Sequence, residues 1–320
     1  MTFGGRAQIW EAIGGLDQQA ADALVNRALE AGINFIDTAN VYSGGESETM
    51  LGKALGSRRR DIVLATKVRG RTGPGANQVG LSRSHIVEAV EDSLKRLGTD
   101  YIDLYQIHRS DVLTNMEDTL RALDDLVRAG KVRYIGCSNL EAWMMMKALA
   151  ISRAQNLERF RCTQSYYSLV GRELERQIIP LIKDQGLGLL VWSPLAGGFL
   201  SGKFTRTGGD ETARRAKFDF PPVNKEKGFD ILDLVVPMAA RYQVSAAQIA
   251  LAWLLAKDAV TSVIIGAKKL SQLDDNLKAI DVKLTEDDLK ALDEASKIAP
   301  EYPAWMDVLG TDRRPGERRY

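Results

Sequence analysis

The chain alternates short apolar, β-prone runs with amphipathic stretches along nearly its whole length, and nothing else in it constrains the fold as much. Strand-like runs cover 33–37, 61–67, 101–108, 131–138, 160–166, 188–192 and 262–265. Helical patterns cover 17–31, 46–55, 82–97, 114–129, 140–154, 173–184, 231–242, 246–255, 270–280 and 286–297. In the first of these, Ala20, Leu24, Ala28 and Ala31 recur at the spacing of one helix face. Gly32, Gly130 and Gly186 follow helices as stop signals, and Ser82 reads as an N-cap. Strands that are each followed by helix lie parallel, joined by helical crossovers.

An open doubly wound sheet and a closed (β/α)8 barrel both satisfy that pattern. An open dinucleotide-binding sheet needs Gly-x-Gly-x-x-Gly after its first strand. Here the first strand runs instead into Thr38-Ala39-Asn40-Val41-Tyr42. No self-similarity beyond the strand–helix period points to a solenoid. The expectation is therefore α/β class and a (β/α)8 TIM barrel, formed as one domain by residues 1–320. Seven strands are found where about eight close such a barrel. The glycine-rich stretch 193–225, with its Pro221-Pro222 pair, is expected to be a cofactor lid. Residues 299–320 read as an irregular tail that helps wall a substrate pocket.

Charge and cysteine content remove several function classes. Lys plus Arg is 43 against 42 Asp plus Glu, without the basic excess of a dedicated nucleic-acid binder. No apolar run reaches the ~18 residues of a membrane span, and the opening Met1-Thr2-Phe3-Gly4-Gly5-Arg6 has no signal-peptide pattern. Two cysteines, Cys137 and Cys162, exclude a disulfide framework and the usual zinc clusters. A cytoplasmic protein without a metal site is expected.

In a barrel, chemistry sits at the C-terminal ends of the strands. The first three strands seen here end in Asp37, Lys67 and His108, and Tyr42 lies on the loop after Asp37. Taken singly, these could be a turn cap, a solvated strand end, a packed surface tyrosine and a rim histidine. Together they converge on one rim and make an acid–base device. A free tyrosine, with a pKa of about 10, is a poor donor near neutrality, and a neighbouring ammonium lowers that value. Asp37 would keep the Lys67 ammonium charged, and His108 could hydrogen-bond a substrate oxygen. Protonating a carbonyl oxygen is work for such a tyrosine. The other histidine, His85, is expected at the surface in a first helical turn.

Later strand ends offer Ser138-Asn139, Gln164 and Trp192-Ser193. Ser, Asn and Gln can bind a carboxamide through donor and acceptor together, and Trp192 offers a face for a flat ring. Gly266-Ala267-Lys268-Lys269 precedes a helix, a place suited to an anion, though a solvated helix start reads equally well. Gln272, Asp275 and Asn276 on that helix are ordinary surface residues unless a nucleotide lies there.

The stretch Gly32-Ile-Asn-Phe-Ile-Asp37-Thr-Ala-Asn-Val-Tyr42-Ser-Gly-Gly-Glu-Ser-Glu48 resembles a fingerprint of the aldo-keto reductases. Leu97-Gly-Thr-Asp-Tyr-Ile-Asp-Leu-Tyr-Gln-Ile-His108 resembles a second, and Gly130-Lys-Val-Arg-Tyr-Ile-Gly-Cys-Ser138-Asn139 and Trp192-Ser193-Pro194-Leu195 resemble two more. Trp192 and Gly197-Gly-Phe-Leu-Ser-Gly-Lys203 are similar to the bacterial and potassium-channel-β-like branch. The resemblance implies a (β/α)8 barrel with NADPH extended across its C-terminal rim, NAD being the less favoured cofactor. It implies a tetrad of Asp37, Tyr42, Lys67 and His108, with Tyr42 as proton donor. It assigns the carboxamide to Ser138, Asn139 and Gln164, and nicotinamide stacking to Trp192. A lid over the pyrophosphate is implied for Ser193, Leu195, Gly197 and Lys203, and the adenosine end for Gly266, Lys268, Gln272, Asp275 and Asn276. Lys268 is then the expected contact for a 2′-phosphate. The implied activity is reduction of an aldehyde or ketone, or its reverse, on a small carbonyl or alcohol substrate, with homo-oligomer formation left open. The alternative is a cofactor-bound regulatory subunit like the channel β subunits, against which His108 argues because those carry asparagine there. Relatives begin with a hairpin and a first strand leading into Gly-Thr-x-x-Phe-Gly-Gly. The start at Met1 therefore carries the expectation that these lie upstream, through a late start assignment or truncation. A truncated, inactive relative with an open barrel is the weaker third reading. Arg109 reads as a surface arginine, or as a contact for a polar or anionic substrate.

Overall fold

The computed structural model describes residues 3–5, 13–209 and 214–306. Met1, most of the chain's opening, positions 210–213 of the expected lid and positions 307–320 of the expected tail lie outside the described residues. Seven parallel strands form one curled sheet in sequential order. They are β1 (Phe35–Asp37), β2 (Val63–Val68), β3 (Ile102–Ile107), β4 (Val132–Ser138), β5 (Phe160–Tyr166), β6 (Gly188–Trp192) and, after a two-residue ribbon, β9 (Ser262–Val263). The ribbon is β7 (Phe204–Thr205) paired antiparallel with β8 (Gly208–Gly209).

Helices follow the strands: α1 (Gln18–Glu30) precedes β1, α2 (Glu46–Leu55) follows it, and α3 (Arg83–Leu97), α4 (Met116–Arg128), α5 (Ala142–Gln155) and α6 (Ile178–Gln185) come next. After the short α7 (Arg214–Lys217) come α8 (Lys225–Tyr242), α9 (Ala246–Leu255), α10 (Leu270–Leu277) and α11 (Glu286–Ser296). Side-chain caps set many of the starts. Asp17 accepts from Ala20 N, Ser82 from His85 N, Ser245 from Gln248 N and Thr285 from Asp288 N.

The alternating faces of the strands divide the core. Outward residues such as Leu64, Val68, Ile107, Ile135, Leu189 and Val191 pack under the helices in the main hydrophobic cluster. Inward residues Phe35, Ala65, Leu104, Cys162, Leu190 and Ile264 form a separate plug inside the curl. Gly136 is the inward residue of β4 at this level. A Cβ there would lie 3.0 Å from Cys162 Sγ and 3.2 Å from Gln106 Cγ, so a side chain would have to push these neighbours back.

The expected helix at 173–184 divides into a 3-10 turn, Glu173–Glu175, and α6. Helix α8 begins six residues before the pattern suggested. Asn224 caps it, and Gly228, buried against Phe199, hides the helical period in its first turns. His85 is not at the surface. It is 2% exposed beneath the loop after β2, and burial holds its pKa below the ordinary value. That loop folds back over the helix start and covers a position that helical periodicity alone places outside. No helix among the described residues is long and apolar enough to cross a membrane.

Candidate active site

Two residues beyond the apolar plug, each of strands β1 to β6 delivers its next inward side chain, because strand side chains alternate faces. Phe35 leads to Asp37, Ala65 to Lys67, Leu104 to Gln106, Gly136 to Ser138, Cys162 to Gln164 and Leu190 to Trp192. One polar layer therefore sits on one apolar floor.

Lys67 is fully buried and donates to Asp37 Oδ2 at 2.5 Å and to the Thr38 carbonyl at 2.8 Å. Its ammonium also lies 5.2 Å from the centroid of the Tyr42 ring and hydrogen-bonds to that side chain. The other oxygen of Asp37, Oδ1, accepts from Gln164 Nε2 at 2.9 Å and from Gln106 Nε2 at 3.2 Å. Burial works to strip Lys67 of its charge, but Asp37 and then Tyr42 outweigh it, and the lysine pKa stands above its ordinary value.

Tyr42 is 8% exposed, and its ring meets that of His108 edge-on, with centroids 5.6 Å apart. Here the electrostatics correct the sequence reading. Lys67 does pull the phenol pKa down, but burial pushes it up more strongly, with help from Asp37, so the pKa ends above 10.0. The phenol stays protonated at neutral pH. His108 is held down to about 3 by burial, then by the charges of Lys67, Arg109 and Arg69, so its imidazole is neutral.

On the other side of the layer, Asn139 adopts a positive φ of 53° and bridges three groups. Its Nδ2 donates to the His108 carbonyl at 3.0 Å and to Ser138 Oγ at 2.9 Å, and its Oδ1 accepts from Trp192 Nε1 at 3.0 Å. Ser138 Oγ donates to the Gln164 carbonyl at 2.9 Å. The Trp192 ring stacks against Phe220, with planes 8° apart and centroids 5.8 Å apart, and lies 5.1 Å from the Tyr166 ring centroid.

The segment after β6 is built tightly. Ser193, also at φ 53°, accepts from Gly197 N through its Oγ at 3.1 Å. Gly197 has φ 66°, and a Cβ on it would fall 2.3 Å from the Phe220 carbonyl oxygen. Buried Arg215 ties the segment together, donating to the carbonyls of Ala196 and Pro221 and pairing with Asp219 at 2.6 Å. Leu195 is half-buried beside these residues, whereas Lys203 is exposed just before the ribbon.

At the far end, no side chain caps the N-terminus of α10. Gln272 accepts from Lys268 N at 2.9 Å, and exposed Gly266 opens the turn. Asp275 is occupied by Ser245 and Gln248, both at 2.8 Å, so it pins α10 to α9, while Asn276 is half-buried on the same helix. Burial and then the charges of Arg214 and Lys217 hold the Lys268 pKa below its ordinary value.

Two residues escaped the sequence reading. Gln106 stands two residues before His108 on the same strand face, so the alternation could have found it. Arg214 lies in a stretch read as irregular, and no period in the sequence marks that it reaches both Tyr42 and Lys268 electrostatically.

The sequence profile of the Aldo/keto reductase family matches residues 1–297. An uncharacterized oxidoreductase of Bacillus subtilis, YrpG, is 37% identical over 305 residues, which cover 90% of this chain and 92% of that one. Versiconal hemiacetal acetate reductase of Aspergillus parasiticus is 35% identical, with 87% of each chain covered. A protein of Oryza sativa described as a probable voltage-gated potassium channel subunit beta is 39% identical over 83% of this chain and 84% of its own. The sequential parallel sheet, the polar layer on its C-terminal rim and these matches agree: the chain belongs to the aldo/keto reductase family, oxidoreductases with the TIM-barrel fold that act on carbonyl and alcohol groups.

Proposed function

We propose that the protein is an NADPH-dependent reductase that converts an aldehyde or ketone to its alcohol, with Tyr42 as proton donor. The observation that carries this reading is the Tyr42 phenol itself. Burial keeps it protonated, the Lys67 ammonium lies against it, and a neutral His108 stands edge-on beside it.

Residues that would hold the cofactor fit its parts. The Asn139, Ser138 and Gln164 cluster offers the donors and acceptors a carboxamide needs. Trp192 presents an aromatic ring next to them. At Gly197 the chain turns at positive φ and packs directly against the Phe220 carbonyl, which fixes the segment proposed to lie over the pyrophosphate. Arg214, Lys217 and Lys268 gather positive charge near an uncapped helix start, the chemistry that suits phosphate. Lys268 as a 2′-phosphate contact is the reason to prefer NADPH to NADH. When bound, the nicotinamide supplies the hydride.

The remaining work belongs to the chain. His108 orients the carbonyl oxygen through a neutral N–H. Tyr42 donates its proton to that oxygen as negative charge develops, and the Lys67 ammonium stabilises the phenolate left behind. Asp37 keeps the ammonium charged, and the two glutamines fix Asp37. The raised phenol pKa favours reduction at neutral pH, whereas alcohol oxidation needs the phenolate and is favoured at higher pH. The two buried, free thiols suit a reducing cytoplasm.

The test is consumption of NADPH, and of NADH in parallel, against a panel of aldehydes and ketones. Absence of turnover with every carbonyl, in protein that binds NADPH, refutes the reading. It would favour instead a cofactor-bound regulatory subunit, the reading that the likeness to a channel subunit supports.

A further inference from the structure

Two arginines stand at the mouth of the site with no role in the chemistry above. Arg69 follows β2 directly and Arg109 follows His108. The two strand ends are tied together: His108 N donates to the Val68 carbonyl at 2.9 Å, and Arg69 Nε donates to the Ser110 carbonyl at 3.2 Å. The Arg69 side chain thus lies across the rim beside His108.

Its backbone is strained, with φ at 132°, in a region that residues with side chains rarely adopt. Gly80 N holds its carbonyl at 2.9 Å, so the loop fixes the residue in that conformation. Neither guanidinium forms an ion pair with a carboxylate among the described residues. Asp111, whose carboxylate feels the Arg69 charge, spends its hydrogen bonds on Leu81 N at 2.8 Å, Leu113 N at 3.1 Å and Thr114 Oγ1 at 2.7 Å. Asp37, the other acid of the rim, is matched by Lys67. The His108 ring feels both arginines as positive charge. The mouth therefore carries two guanidiniums that no carboxylate among the described residues meets at ion-pair distance, one of them on a strained backbone.

We propose that the carbonyl substrate also bears a carboxylate, bound by Arg69 with Arg109 beside it, while its carbonyl oxygen meets Tyr42 and His108. This rests on the reductase reading and narrows it to oxo acids. A guanidinium presents parallel N–H donors that match a carboxylate, whereas a neutral substrate leaves them to water.

The experiment compares each acid with its methyl ester: succinic semialdehyde for a short spacer and 4-carboxybenzaldehyde for a longer one. The acid of at least one pair is expected to have kcat/KM about ten- to a hundredfold above its ester, the range for hydrogen bonds to a charged group. Arg69→Gln should reduce that ratio about tenfold or more, Arg69→Lys should retain part of it, and Arg109→Gln should lower it less. A second readout is calorimetric binding of 4-(hydroxymethyl)benzoate to the NADP+-loaded protein, which Arg69→Gln should weaken more than binding of the methyl ester. Equal use of acids and esters at both lengths overturns the proposal, as does an Arg69→Gln variant in which both fall together. Turnover of esters without acid preference would sink the inference alone. Absence of all turnover would sink the reductase reading, and calorimetry still decides whether Arg69 holds the carboxylate.

Discussion

The pair formed by Asp37 and Lys67 allows a test that separates stability from catalysis. Lys67 has no exposed surface, and the Asp37 carboxylate accepts from Lys67, Gln106 and Gln164. Asp37→Asn keeps the size and removes the charge. The ammonium then stays buried among neutral groups alone, the Thr38 carbonyl, the Tyr42 side chain and the new amide, and three charge-assisted contacts are lost or weakened. Breaking a buried pair from one side costs about 3–5 kcal/mol, because the surviving charge has no counter-charge. Lys67→Met should cost a similar amount, leaving the carboxylate with two amides. The double variant Asp37→Asn/Lys67→Met buries neither charge, so it should lose less than the sum of the singles by about 2–3 kcal/mol. Turnover should behave differently. Each single and the double should fall about a hundredfold or more, since Lys67→Met removes the charged partner of the Tyr42 phenol and Asp37→Asn removes the carboxylate that keeps that partner charged and in place. Equilibrium denaturation and NADPH consumption measure the two quantities on the same samples. An Asp37→Asn variant within about 1 kcal/mol of wild type, or a double variant whose losses simply add, would show that the pair is not the electrostatic unit described.

Three further outcomes are expected. Tyr42→Phe should lower turnover by about a hundredfold or more while the fluorescence-titrated NADPH affinity changes little, and normal carbonyl reduction by that variant would refute its role. His108 stays neutral in the fold down to about pH 3, whereas the unfolded imidazole takes up a proton below about 6.5. Its contribution to stability is therefore complete above pH 6.5 and drains away as the pH falls toward 3, so His108→Gln should lose less melting temperature than wild type between pH 7.5 and about 4.5. Gly197→Ala combines a positive φ with a clash at the Phe220 carbonyl, and should cost about 1–3 kcal/mol and weaken NADPH binding; an unaltered melting curve would contradict the close approach.

The strand order and most helix positions were legible because period-two and period-3.6 patterns report burial directly. Strands β5 and β6 have the bounds the pattern indicated, as do helices α2 and α9. What failed was local. Gly228 interrupts the helical pattern of α8 because it lets Phe199 approach, so the sequence shows a breaker where the structure has a packed turn. His85 looked exposed because periodicity along a helix says nothing of a loop folded over its first turn. At the site, Asp37, Lys67 and His108 could be found at strand ends and Tyr42 on the loop after the first of them, and the structure brings these four side chains together. The sign of the Tyr42 shift could not be read that way, since it depends on how burial and a cation balance at one oxygen. Arg214 was invisible because it acts across the segment joining two strands, where no period operates.

The apolar floor beneath the polar layer also bears on how such a protein changes over time. The Asp37–Lys67 pair and the two glutamines that fix it rise from strands, two positions above Phe35, Ala65, Leu104 and Cys162, while the residues proposed to recognise a substrate, Arg69 and Arg109, sit where strands pass into loops. Substitutions in those loops can retarget the chemistry without disturbing the charge pair that drives it. Substitutions in the floor do the reverse, altering every substrate alike. Directed evolution for a new carbonyl should therefore concentrate its accepted changes at 69–81 and 109–115, and leave the inward strand positions alone.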